Sequence, residues 1–195
     1  MKGEWCYFKS FFDKNTWEKI IRDAQILPVQ NALVGLGNTE TVDVQSRRSK
    51  IRFISEGDWR FQYVFDALWK NAIKANDDFF GVHITRLNFI QLAEYDASYQ
   101  GEYKDHHDVF WLNDDLQYHR KLSAIIQLSD PNSYEGGDFV MTDAKYPIDR
   151  EVKEQGTFAF FPSMMRHRAN PVTQGTRYSI AAWFEGPKWR WNGIL

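Results

Sequence analysis

The sequence lacks several features that would assign it to a compartment or to a polymeric partner. It contains one cysteine, Cys6, which excludes an internal disulfide framework and suits a reducing compartment. Its 24 basic and 26 acidic residues give a net charge of −2, too even a balance to attract nucleic acid or a membrane surface. No apolar run approaches a membrane span, and Glu4 and Lys9 interrupt the apolar residues where a signal peptide would lie. We therefore expect a cytoplasmic protein without nucleic-acid or membrane partners.

Aromatic residues, by contrast, make up 16% of the chain and include eight tryptophans, which is compatible with a β-rich core and an aromatic-lined cleft. The length predicts a single domain over residues 1–195. Apolar residues recur at helical spacing at residues 16–24 and about 58–76, and the second stripe includes Trp59 and Ile73. We expect these N-terminal helices to support a sheet.

The remaining pattern is that of a β protein. A strand or hairpin is predicted over residues 42–54, where the basic run at 47–50 is typical of a solvated strand end, and residues 34–38 predict a glycine-rich loop. A strand of mixed faces is predicted over residues 84–95. From residue 82 to about 185, short strands alternate with turn signals at near-regular spacing, which indicates a sandwich or barrel.

Two potential metal ligands, His106 and Asp108, stand in a predicted strand. Residues i and i+2 of a strand project together, about 7 Å apart, so this imidazole and carboxylate share a face while His107 points away. The later histidines are His119 and His167, of which His167 has the more informative surroundings. Two histidines and one carboxylate on one face of a metal form the triad of non-haem Fe(II) oxygenases. Alone, however, the His-x-Asp pattern is short enough to arise by chance.

A potential carboxylate receptor follows the last of these histidines. Arg177 lies ten residues after His167, and Ser179 shares the face of Arg177 on a predicted strand. A guanidinium holds a carboxylate through two parallel hydrogen bonds, and a neighbouring hydroxyl can add a third. A co-substrate with a chelating end and a distal carboxylate fits both groups, and 2-oxoglutarate is such a molecule. Taken singly, Arg177 would be explained by a surface salt bridge and Ser179 by an ordinary strand position.

Three motifs resemble the Fe(II)- and 2-oxoglutarate-dependent oxygenases, in particular the prolyl 4-hydroxylase-like branch with the PKHD-type hydroxylases of bacteria and phages. Residues 103–108 are similar to the family's Y-x-x-H-x-D, and residues 135–139 to its Gly-Gly-acid turn before a strand. Residues 156–183 are similar to G-x-x-x-x-F-x-x-x-x-x-H-x-x-x-P-V-x-x-G-x-R-x-S. The resemblance covers about residues 48–184. It implies a mostly β fold with supporting α-helices: a double-stranded β-helix (a cupin-like jelly roll, core at about 82–185), with the N-terminal helices of residues 1–80 packed on one sheet.

The resemblance also implies roles for individual residues. The implied catalytic iron ligands are His106, Asp108 and His167. The implied co-substrate-binding residues are Arg177, Ser179 and Tyr95. The implied substrate-binding residues are Tyr103 and Trp183, which core packing of aromatic side chains explains equally well. The implied cofactors are Fe(II), 2-oxoglutarate and O2, with L-ascorbate left open. Many animal and algal prolyl hydroxylases carry lysine in place of Arg177, which weakens the prolyl assignment but not the co-substrate.

Three functions remain in view. The leading hypothesis is a 2-oxoglutarate-dependent dioxygenase that hydroxylates a C–H bond of a prolyl or other residue in a peptide or protein, releasing succinate and CO2. The second keeps this chemistry and changes the substrate to a free amino acid or another small molecule. The third is a catalytically silent jelly-roll binding module, against which the complete triad with Arg177 argues. The resemblance favours the cytoplasm of a bacterium or of a phage-infected host. The sequence leaves substrate identity and oligomeric state open.

Overall fold

The computed structural model describes residues 3–9, 12–31, 43, 45–109, 117–145 and 150–189. Within these residues, two α-helices pack against the larger of two β-sheets. None of the helices described is both long and apolar enough to cross a membrane. The predicted loop at 34–38 lies outside the described residues.

The start of α1 and the end of the helical segment that contains α2 have identifiable local causes. Helix α1 (Lys14–Gln25) follows Asp13, whose carboxylate accepts a hydrogen bond of 2.8 Å from the backbone N–H of Thr16. Helix α2 (Gln62–Ala75) follows a 3-10 turn and continues into a π turn that ends at Gly81. Gly81 has φ of 64°, a left-handed conformation that glycine adopts without a steric penalty. The shorter helical turns are Trp59–Phe61, Asn76–Phe80, Ala97–Tyr99 and Arg150–Lys153.

Short strands make up most of the remaining structure. They are β1 (Cys6–Lys9), β2 (Gln30–Asn31), β3 (Arg47–Arg48), β4 (Lys50–Ser55), β5 (Phe89–Asp96), β6 (Glu102–His106), β7 (Tyr118–Gln127), β8 (Tyr134–Gly136), β9 (Phe139–Met141), β10 (Thr157–Pro162), β11 (His167–Ala169) and β12 (Val172–Pro187). In the described part of the chain, the larger sheet has the order β1-β10-β7-β12-β5-β4-β2, with β8 also paired to β12. The smaller sheet has the order β3-β6-β11-β9. The antiparallel pairs between distant strands form the predicted double-stranded β-helix.

The central strands β5, β7 and β12 have two faces of different character. Their even-numbered residues form the apolar core beneath the helices: Ile90, Leu92, Leu122, Ala124, Ile126, Ile180, Ala182 and Phe184. Their odd-numbered residues line a cavity between the sheets: Phe89, Gln91, Ala93, Tyr95, Ile125, Arg177, Ser179, Ala181 and Trp183. Because alternate side chains of a strand point to opposite faces, the strands that bury the core also build the wall of the cavity.

Several local predictions are wrong. The strand predicted from Ile84 begins at Phe89. Trp59 is 82% exposed because it lies in the 3-10 turn ahead of α2, and Ile73 is 48% exposed because it lies outside the buried face of that helix. Arg47 is not a solvated residue at a strand end, since it is only 7% exposed and faces the cavity.

The two sides of α2 should therefore differ in what they contribute to stability. Leu68→Ala removes a fully buried side chain and should lower the free energy of unfolding by about 2–5 kcal/mol. Ile73→Ala removes a half-exposed side chain of similar size and should cost less than about 1 kcal/mol. Urea denaturation of the two variants beside the wild type measures both values. Equal losses would mean that the buried face of α2 has been assigned wrongly.

Candidate functional site

Three candidate metal ligands meet at one end of the smaller sheet. His106 ends β6, His167 begins β11, and the two residues are direct partners across these strands. The carboxylate of Asp108 places Oδ1 at 3.8 Å from Nε2 of His106 and Oδ2 at 3.6 Å from Nε2 of His167. One donor atom from each of the three residues lies within 4.8 Å of the other two. The structure thus brings together the triad that the sequence predicts.

Both imidazole rings are oriented by backbone hydrogen bonds. Nδ1 of His106 lies 2.8 Å from the carbonyl oxygen of Lys104, and Nδ1 of His167 lies 2.9 Å from that of Met165. A carbonyl oxygen can only accept, so Nδ1 carries the proton in each ring. This leaves a lone pair on each Nε2, the atom that faces Asp108, where a metal ion would bind.

The position of Asp108 has a different cause from the one predicted. Strand β6 ends at His106, so strand alternation does not place the carboxylate. Instead, the backbone N–H of Asp108 donates to the carbonyl oxygen of Ser163 at 2.9 Å, and Oδ2 accepts a hydrogen bond from Ser123 at 2.7 Å. The hydroxyls of Ser123 and Ser163 lie 2.9 Å apart. Asp108 is therefore held by strand β7 and by the turn after β10.

The surroundings of His106 and Asp108 set the protonation states of these two residues. Burial lowers the pKa of His106 to about 3, with a further contribution from the neighbouring His167, so this ring is neutral at physiological pH. Burial alone would raise the pKa of Asp108, but the two histidines, Arg120 and the Ser123 hydroxyl outweigh it and hold that pKa below its usual value. A neutral imidazole and an ionised carboxylate are the forms that bind a metal.

Arg177 and its neighbours form the second part of the site. Arg177 is 2% exposed, and its Nε and Nη2 donate to Oε1 of Gln127 at 3.2 and 2.9 Å. Its guanidinium carbon lies 5.5 Å from the ring centroid of Tyr95, the direct partner of Arg177 across β5 and β12. Ser179 is buried and lines the same cavity. The three predicted co-substrate residues therefore share one wall, but Gln127 was missed.

The two parts of the site are joined by β7. Ser123 holds Asp108 and Gln127 holds Arg177, and these two residues lie four positions apart on the same face, about 13 Å between Cα atoms. The triad and Arg177 line the same cavity, so both are accessible to one ligand that occupies it. Isolated polar residues in the apolar run of residues 122–128 were the signal that could have identified Ser123 and Gln127.

Tyr103 and Trp183 both line the cavity, which has a volume of about 320 Å³. The ring of Tyr103 stacks on that of His106, with centroids 3.5 Å apart and an interplanar angle of 16°. Trp183 packs edge-on against Phe89 at 6.0 Å and lies under the guanidinium of Arg120 at 4.1 Å. Tyr103 therefore contacts a candidate metal ligand, whereas Trp183 lies on the cavity wall next to Arg120.

His107 and His119 lie apart from the triad. His107 is exposed, as the prediction that it points away from the metal requires, but it also borders the cavity. His119 is buried on β7 rather than lying in a polar loop. Within the described residues, the only group of potential metal ligands close enough to hold one ion is the triad.

Comparison with known proteins decides the family. The profile of the 2OG-Fe(II) oxygenase superfamily matches residues 90–185, a segment that contains the triad and Arg177. The chain belongs to this superfamily. A PKHD-type hydroxylase of Pseudomonas putida (strain F1) is 39% identical over 62 residues, which are 32% of this chain and 27% of that protein. PKHD-type hydroxylase YbiX of Escherichia coli (strain 55989) is 31% identical over 122 residues, 59% of this chain and 51% of that protein.

The oxygenase thus spans about a quarter to a half of the length of these curated relatives. Solved structures extend the likeness over nearly the whole chain. The viral collagen prolyl hydroxylase of Paramecium Bursaria Chlorella virus-1, solved with 2OG, has a TM-score of 0.68 at 17% identity and covers 94% of this chain and 96% of that one. A prolyl hydroxylase of Trichoplax adhaerens, solved with a hypoxia inducible factor peptide fragment, has a TM-score of 0.70 at 17% identity and covers 93% and 83%. At such identities the likeness shows the fold, a jelly roll.

The residues of this oxygenase fit the two cofactors of its superfamily. The two imidazoles present their Nε2 atoms, and Asp108 presents a carboxylate, which together are the donor set that non-haem Fe(II) takes. Among the described residues, the buried guanidinium of Arg177 pairs with a neutral amide and with no carboxylate. A bound dicarboxylate would supply that missing charge.

Replacing His106 and His107 one at a time should show which of these adjacent histidines binds the metal. His106→Ala removes one of three donors and should abolish iron retention, whereas His107→Ala should leave it near the wild-type level, because His107 is not part of the triad. The measurement is iron content after anaerobic reconstitution and desalting. A comparable loss in both variants would show that the donor set has been misassigned.

Proposed function

We propose that this protein is an Fe(II)- and 2-oxoglutarate-dependent dioxygenase that hydroxylates a C–H bond, with a prolyl residue of a peptide as the leading substrate. The observation that carries this proposal is one cavity that contains both a His-Asp-His donor set and a buried guanidinium without a carboxylate partner among the described residues. The silent binding module has no comparable support, because it requires neither group.

Two groups of residues in this chain would bind the two cofactors. His106, Asp108 and His167 would hold Fe(II), and Arg177, with Ser179 and Tyr95 beside it, would hold the distal carboxylate of 2-oxoglutarate. When bound, these cofactors activate O2, and 2-oxoglutarate is converted to succinate and CO2 as the substrate gains a hydroxyl group. The buried walls of the cavity keep water from the reacting atoms.

The substrate should enter from the side of the cavity opposite Arg177. Along β5, the lining residues change from Tyr95 beside Arg177 to Phe89 beside Trp183, and Phe53 packs edge-on against Phe89 at 5.3 Å. Phe53 is partly exposed, so this aromatic end reaches the surface. An aromatic wall suits the apolar ring of proline. The prolyl hydroxylases that share the fold support this substrate class.

The cytoplasmic location, the single domain over residues 1–195 and any role of ascorbate stay predictions.

Arg177 should fix the co-substrate and not the iron. Losing a charge-assisted pair in a buried site costs about 2–5 kcal/mol, or roughly 30-fold to several-thousand-fold in affinity, so Arg177→Ala should raise the 2-oxoglutarate requirement steeply. Arg177→Lys should recover part of this loss because it restores the charge without the two-pronged geometry. Ser179→Ala should cost on the order of 1 kcal/mol.

These effects are measured by titrating 2-oxoglutarate against succinate formation for the three variants, with metal analysis of each. Iron content should stay near the wild-type level throughout, because none of the three changes removes a metal ligand. An unchanged titration curve for Arg177→Ala would show that the co-substrate is held elsewhere and would remove the main support for the proposed function.

A further inference from the structure

A second buried arginine, Arg47, faces the same cavity. It is on β3, and its Nε donates to Oγ of Ser49 at 2.9 Å. Its guanidinium carbon lies 4.4 Å from the ring centroid of Tyr103, whose ring also stacks on His106 at 3.5 Å. Two groups so close to one ring centroid must occupy opposite faces, so Tyr103 is held between the candidate metal ligand and the guanidinium. The position of Arg47 is thereby fixed relative to the reaction centre.

Neighbouring arginines of the sheets have carboxylate partners, and Arg47 has none among the residues that the structure describes. Arg48 pairs with Glu102 at 2.8 Å and Arg52 with Glu94 at 3.1 Å. Among the described residues, the one hydrogen bond of the Arg47 side chain is to the neutral hydroxyl of Ser49. A buried charge without a counter-charge is costly, and a guanidinium has further N–H donors to satisfy. This is the condition that makes Arg177 a carboxylate receptor.

The charges of the cavity lining point in the same direction. The described residues that line it include four arginines, Arg47, Arg120, Arg168 and Arg177, and a single carboxylate, Asp108. The whole chain, by contrast, has a net charge of −2. Arg168 has an acidic neighbour, Asp105, at 3.6 Å. Asp108 and Glu185 act electrostatically on Arg120, which leaves Arg47 and Arg177 as the cavity arginines to which the described residues supply no carboxylate.

2-Oxoglutarate does not account for Arg47. Its distal carboxylate is assigned to Arg177, and its other end to the metal, whereas the ring of Tyr103 separates Arg47 from His106. We propose that the substrate itself carries a carboxylate, which Arg47 binds at the wall of the cavity. This inference rests on the proposed function and refines its substrate class: the carboxylate is either the main-chain carboxylate of a free amino acid or an acidic side chain next to the reacting residue of a peptide.

A buried amide offers a further contact for such a substrate. Gln91 is 3% exposed, lines the cavity from β5, and makes no side-chain hydrogen bond to any other residue that the structure describes. Buried polar groups are rarely left without a partner. Gln91 and the guanidinium of Arg47 therefore retain hydrogen-bonding capacity toward the same cavity, which suits a polar, anionic ligand better than an apolar one.

The test compares two matched pairs of probes by calorimetric titration of the protein loaded with Fe(II) and 2-oxoglutarate, with O2 excluded. One pair is L-proline and L-prolinamide. The other is the end-blocked pentapeptide Ala-Ala-Pro-Glu-Ala and its counterpart with glutamine in place of glutamate. In one pair the carboxylate member should bind roughly 10- to 100-fold more tightly, as expected for hydrogen bonds to a charged group. The pair that shows the preference identifies the source of the carboxylate.

Three variants assign this preference to Arg47. Arg47→Gln should abolish it, and Arg47→Lys should retain part of it, because the charge remains while the planar geometry is lost. Arg48→Gln is the matched control and should leave the preference intact, since Arg48 does not line the cavity and pairs with Glu102. Iron content and 2-oxoglutarate affinity are measured for each variant. If Arg47→Gln loses iron, the preference for the carboxylate probe is compared between Arg47→Lys and Arg48→Gln instead, and that comparison tests the assignment to Arg47.

The outcomes separate this inference from the proposed function. Equal affinities within both pairs, including no binding by any of the four probes, overturn the assignment of Arg47. That assignment is also overturned if the Arg47 variants keep the preference, or if they weaken 2-oxoglutarate binding instead. Failure of the wild-type protein to bind 2-oxoglutarate in the presence of Fe(II) refutes the proposed function itself.

Discussion

The buried carboxylate of Asp108 is the constraint on which the arrangement of the site depends. An ionised group in an apolar interior must be paired or hydrogen-bonded, and here its neighbours come from separate parts of the fold. Ser123 on β7 of the larger sheet donates to the carboxylate, and the backbone N–H of Asp108 donates to Ser163 after β10. The histidines whose Nε2 atoms face the carboxylate, and with it would hold a metal, come from β6 and β11 of the smaller sheet. Satisfying this one charge therefore fixes the two sheets relative to each other at the place where a metal would bind.

The two-residue period of a β-strand allows the same strands to form both the hydrophobic core and the wall of the cavity. On β5, β7 and β12, one set of alternate side chains buries aliphatic and aromatic groups under the helices, and the other set lines the cavity. Rigid packing on the first face limits the movement of the second. The hydrogen bonds from Arg177 to Gln127 and from Ser123 to Asp108 are therefore built on strands that cannot shift without disrupting the core.

The sequence predicts the role of a residue only where nearby residues in the chain indicate that role. His106, Asp108, His167 and Arg177 are found from residue type and spacing, because their chemistry is rare in such a pattern. Gln127 stands out in the sequence only as a polar residue in an apolar run, which does not reveal its partner Arg177. Arg47 acquires its role only through Tyr103, which is distant in sequence, so reading the chain in order gives no reason to select it. Asp108 lies beside the two histidines as predicted, but a hydrogen bond to Ser163 and not strand alternation places it there. The exposure of Trp59 likewise depends on where α2 begins, which periodicity defines poorly.

The buried arginines of the cavity affect both ligand binding and the stability of the fold. Arg47 and Arg177 are buried cations whose described hydrogen-bonding partners are neutral, an arrangement that costs free energy in the unliganded fold. A carboxylate that binds the folded protein and not the unfolded chain stabilises the fold. This stabilisation grows with the logarithm of the carboxylate concentration once that concentration exceeds the dissociation constant. The groups that destabilise the empty cavity are thus the ones that select its ligands. Since one dicarboxylate satisfies only one of these two arginines in the proposed geometry, the distribution of charge calls for a second anion in the cavity.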